Sequence, residues 1–168
     1  MMTVSAIKAL AGGGDGGGGE APGGPRLSTD FLNRYAEALM LIGMAADDPD
    51  ILPDLQAWRA VSYCGHFATS PLRCAPSALA AYDALAPARR EGFENLCLAM
   101  TRLVTTATAL LADRQEGLDA ATIAEVAGDA LRRQIGRATH FINANGTIDI
   151  AAVESRVLQA EVDALFRV

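Results

Sequence analysis

The chain has 168 residues, 51% of them hydrophobic, with 14 basic and 20 acidic side chains and a formal net charge of −6. A chain of this order forms one domain that buries about two-thirds of its unfolded surface, so neither disulfides nor a structural metal are needed to hold it together. The acidic balance repels phosphate backbones and argues against nucleic acid, and no apolar run reads as the roughly 18 residues a membrane span requires.

Residues 1–10 carry Val4, Ile7 and Leu10 at helical spacing, too short a stretch to be helical alone, and read as a docking peptide for a partner or a neighbouring subunit. Residues 11–26 hold nine of the 16 glycines and two prolines. Such a stretch has nothing to bury and loses the most backbone entropy on ordering, so it reads as a flexible linker. Residues 27–168 then form the folded domain.

That domain begins with Ser28, Thr29 and Asp30 as capping residues, followed by Phe31, Tyr35, Leu39 and Ile42 at one-turn intervals. The stretch Ala38 to Ala46 is apolar nearly all round, which predicts a central helix. Asp47-Asp48-Pro49-Asp50 ends it. A second helix is expected near Ile51–Tyr63 and a proline-punctuated connection over Gly65–Pro76. A short helix follows over about Ser77–Leu85. From Pro87 the chain gives its clearest signal, with Phe93, Leu96, Cys97, Met100, Leu103, Val104, Ala107 and Leu111 at steps of three and four. A fifth helix is predicted near Asp119–Phe141, closed by Asn145-Gly146, and a last one near Asp149–Phe166. No segment alternates like a strand. The prediction is an all-α fold, a single bundle of five or six helices.

Chemistry is sparse. Residues 141–152 hold half of a calcium loop, but Phe141 and Ala152 stand where the charged ligands belong, so Asn145-Gly146 reads as a helix stop. Cys64, His66 and Cys74 are the candidate metal ligands, with Cys97 or His140 as a fourth, although their spacing matches no common zinc knuckle. No Walker loop, nucleophile elbow or other catalytic constellation is present, so no enzyme activity and no cofactor is expected. Arg89 and Arg90 open the fourth predicted helix, where exposed amides favour an anion; the ordinary alternative is a solvated face, with Arg90 pairing with Glu94. Thirteen of the 14 basic residues are Arg, a bias that a GC-rich genome explains.

These features favour a non-enzymatic helical protein that binds another protein or itself, with Val4, Ile7 and Leu10 docking. The last helix, through Leu158, Val162, Leu165 and Phe166, is the expected route to a homo-oligomer. The alternative is a small-ligand or metal-binding regulatory domain with its site near Cys64, His66 and Cys74. Three cysteines, and a start that lacks a basic stretch followed by an apolar one, point to a reducing cytoplasm.

Overall fold

The computed structural model describes residues 23–113 and 119–150. The docking peptide, linker residues 11–22 and the last helix beyond Ile150 lie outside the described residues. Within them every regular element is helical: α1 Asn33–Asp47, α2 Leu52–Ala57, α3 Tyr63–Ala68, α4 Ala75–Asp83, α5 Pro87–Asp113 and α6 Ala120–Asn143. The fold is an all-α bundle in which α1, α5 and α6 pack on one another, α2 lies against α1 and α5, and α3 packs on α4.

Ser28 caps as expected, accepting from the Asp30 N–H, but the cap starts a single 3-10 turn, Thr29–Leu32, ahead of α1. The tighter turn lets the adjacent Phe31 and Leu32 both reach the core. In α1, Tyr35, Ala38, Ile42 and Ala45 are buried, while Met40 is 56% and Met44 44% exposed. The helix is therefore amphipathic in place, not buried all round, because α2, α5 and α6 cover one side of it.

The predicted helix over 51–63 is broken. Trp58 leaves helical geometry (ψ 139°), its ring is buried, and its indole N–H donates to the Arg34 carbonyl at 3.0 Å. Burying the indole while satisfying its one donor outweighs continuing a short helix. The chain restarts at Ser62, whose hydroxyl accepts from the Gly65 N–H at 3.0 Å and caps α3, a helix that runs on into the stretch read as a connection.

Helix α5 buries Phe93, Leu96, Met100, Val104, Ala107 and Leu111. By length and composition it is also apolar enough to cross a bilayer, with an 18-residue window of mean hydropathy 1.3, which corrects the reading that no run reaches that length. Its threonines contribute: Thr101, Thr105 and Thr108 each bond back to a carbonyl of their own helix.

Helix α6 closes as predicted, with Asn145 (φ 50°) and Gly146 (φ 73°) in the left-handed region. A side chain at Gly146 would collide with Leu85. The Asn145 amide also ties the start of the domain down, its Oδ1 accepting from the Leu27 N–H at 2.8 Å and its Nδ2 donating to the Pro25 carbonyl at 3.2 Å. The core centres on rings, Phe93 stacking on Phe141 at 5.0 Å and Tyr63 on Tyr82 at 4.9 Å. Offset and edge-on pairs of this kind add about 0.5–1.5 kcal/mol each beyond area burial.

Candidate ligand cleft

A cleft of about 570 Å³ opens between α3, the end of α4 and the first half of α5. The non-helical segment Ala60–Ser62, which follows the break at Trp58, forms one wall with Tyr63 and Cys64 of α3. Tyr35, Tyr63 and Phe93 bring ring surface, and Arg90, Glu94, Cys97, Leu98 and Thr101 line the α5 side. These α5 positions follow steps of three and four, so one edge of a single helix supplies the cleft while the neighbouring stripe fills the core.

The polar groups are arranged in pairs. The Tyr82 hydroxyl donates to Glu94 Oε1 at 2.6 Å. Arg90 Nη2 donates to the carbonyls of Tyr82 (3.3 Å) and Asp83 (2.9 Å), and the guanidinium lies 5.3 Å from the Tyr82 ring centre. The last carbonyls of α4 carry the negative end of its dipole, which favours a cation there; the Tyr82 carbonyl also accepts from the Leu85 N–H at 3.1 Å. The Tyr35 hydroxyl lies 3.0 Å from Thr101 Oγ1 and 3.2 Å from the Cys97 carbonyl.

Burial raises both cleft thiols above their ordinary range. For Cys64, desolvation leads, and the carboxylates of Asp83 and Glu94 add to it against Arg90. Cys97 is pushed up to about 12 by desolvation and then by Glu94. Tyr63 is raised to about 12 by burial, and burial together with the Glu94 contact raises Tyr82 further. At neutral pH the cleft presents uncharged thiols and phenols between one cation and two carboxylates.

The sequence-derived candidates are redistributed. Cys64 and Arg90, read as parts of two different sites, line this one cleft. His66 turns away to Asp30 Oδ2 at 2.8 Å with its ring edge-on to Phe67, and Cys74 Sγ lies 3.8 Å from Ser28 Oγ. Among the described residues no three His, Cys, Asp or Glu side chains gather to hold a metal, so the ligand set Cys64, His66 and Cys74 is not assembled. Arg90 Nη2 forks onto carbonyls and does not pair with Glu94, while Arg90 Nε and Arg89 Nη1 are buried without a hydrogen-bond partner among the described residues.

No family model, curated protein or solved structure matches this chain.

Sequence reasoning missed Tyr82 and Thr101, and placed Glu94 only as a surface partner of Arg90. A signal for the α5 pair existed: Arg90, Glu94, Cys97 and Thr101 recur at steps of four, three and four beside the apolar stripe, a polar seam where a solvated face would vary freely.

Proposed function

We propose that this protein is a non-catalytic helical domain that binds a small organic molecule in the α3–α4–α5 cleft. The supporting observation is the cleft itself: ring-lined, mostly apolar, and fitted with a few convergent polar groups, which is the usual make-up of a ligand site. Chemistry at the site finds little support. Its thiols are held protonated by burial, and the nearest imidazole in sequence, His66, is paired with Asp30. Three free cysteines suit a reducing compartment. Filling the cleft by Cys64→Trp tests the reading: ligands that raise the melting temperature of the natural chain should leave the variant's unchanged, and equal stabilisation of both would refute it.

A second reading, protein association, rests on a different surface. A groove between α5 and α6 is lined by Leu98, Ala99, Leu103 and Ala130 together with Asn95, Arg102, Thr106 and Gln134, and Leu98 is 47% exposed in it. Amphipathic helices of partner proteins seat in such grooves. Ala130→Arg should abolish an association made there, measured by sedimentation of the full chain with its partner, and unchanged association would exclude the groove.

A further inference from the structure

We infer that residues 151–168 of this chain lie as a helix in the α5–α6 groove, so that its occupant is the chain's own segment and not an outside protein. The inference rests on that groove being a surface that seats a helix. Phe93 stacks on Phe141, and Leu103 and Ala130 line the same groove, so α5 and α6 run antiparallel. The face they share there is uncovered. Only 28% of the most apolar 18-residue window of α5 is buried, with Leu98 47% and Leu110 40% exposed. On α6, Val126 is 64% exposed. Leu110 follows Thr106, and Val126 precedes Ala130, by about one helical turn, so they continue the faces that line the groove.

Position, length and charge single out the occupant. Ile150 is buried shortly after α6 ends, beyond the left-handed turn at Asn145 and Gly146. A connection this short returns the chain antiparallel to the helix it leaves, here along the groove from its Asn95 and Gln134 end. Residues 151–168 reach about 27 Å as a helix, against about 23 Å from Asn95 to Leu110. They carry Val153, Val157, Leu158, Val162 and Leu165 to set against the groove's leucines. At helical spacing Glu154 and Glu161 fall inside that apolar side, and carboxylates turned into a groove need a cation. Arg102 is the one charged residue lining it, and the described residues form ion pairs only at His66–Asp30 and Arg132–Asp129. Measured from the same end of the bundle, Arg102 lies about 14 Å past Phe93 along α5 and Glu161 about 17 Å past Ile150, so the two come level.

The test is run by NMR on the full chain with leucine and valine methyls labelled. Nuclear Overhauser contacts should join Leu98 or Leu103 to Val157, Leu158 or Val162, and the amides of residues 153–166 should resist hydrogen exchange. Ala130→Arg should speed exchange at those amides about tenfold or more while Leu96 and Met100 stay protected. Arg102→Glu should loosen the same segment, and adding Glu161→Arg should restore its protection, a rescue that general damage to the fold would not give. A sample mixed from labelled and unlabelled chains decides whose segment is seated: contacts found only between copies overturn the own-chain assignment and leave the groove a helix-binding surface. Absence of these contacts, with exchange at 153–166 unchanged by Ala130→Arg, overturns the inference, while association with another protein is decided by its own sedimentation measurement.

Discussion

Tyr82 and Glu94 are joined by a 2.6 Å hydrogen bond that ties the end of α4 to α5 across the intervening turn. Tyr82 stacks on Tyr63 with the same ring, so one side chain couples the aromatic core to the cleft wall. Tyr82→Phe keeps the stack and removes only the hydroxyl. It should cost about 0.5–1.5 kcal/mol, the usual net worth of one such bond, as read from urea unfolding. A cost near zero would mean that Glu94 is satisfied equally well by water.

Asn145→Ala removes the two bonds that hold residues 25–27 against the α6 turn. The loss should be about 1–3 kcal/mol, because the part-buried Leu27 N–H is left without its acceptor and alanine tolerates the left-handed backbone less well than asparagine. Hydrogen exchange at the Leu27 amide is the direct readout, and it should accelerate while the α5 amides stay protected.

Stability should fall in alkali. Tyr63 moves from 10.0 to about 12 in the fold and Cys97 from 9.0 to about 12, so the folded state favours their protonated forms. The sign follows directly. Below pH 9 both are protonated in the folded and unfolded chain alike and their contribution is complete. As pH rises through 9 to 12 the unfolded chain releases these protons first, and the stabilisation is lost. Melting temperatures across this range should decline, and Cys97→Ala should flatten the part of the decline that begins near pH 9.

Alkylation should rank the thiols by access and thiolate character. Cys74 is exposed, whereas Cys64 and Cys97 are partly buried and raised, Cys97 to about 12. Iodoacetamide at neutral pH followed by mass mapping should label Cys74 first, Cys64 next and Cys97 last. Fast labelling of Cys64 would signal an activated thiolate and restore a catalytic role to the cleft.

The helices were legible where burial has a period. Phe93 to Leu111 falls in one stripe, and α5 forms as its spacing predicts. What escaped the sequence depends on contacts remote along the chain. The break at Trp58 is set by an indole reaching Arg34 in α1, and the exposure of Met40 and Met44 by which neighbours cover α1. Glycine at 146 follows from local backbone geometry and was read correctly from Asn145-Gly146 alone. The cleft was half visible. Cys64 and Arg90 were both singled out, but their union needs Tyr82, which α4 brings beside α5 and which no local pattern marks.

The central claim, a small-molecule site between α3, α4 and α5, is met most directly by mapping amide shifts of the labelled full chain while a set of small aromatic and aliphatic compounds is added. The account predicts saturable shifts at Cys64, Tyr82, Glu94 and Thr101, and their loss in Cys64→Trp with the remaining spectrum preserved. A spectrum that stays unmoved at these four residues, or that moves identically in the filled variant, would contradict it.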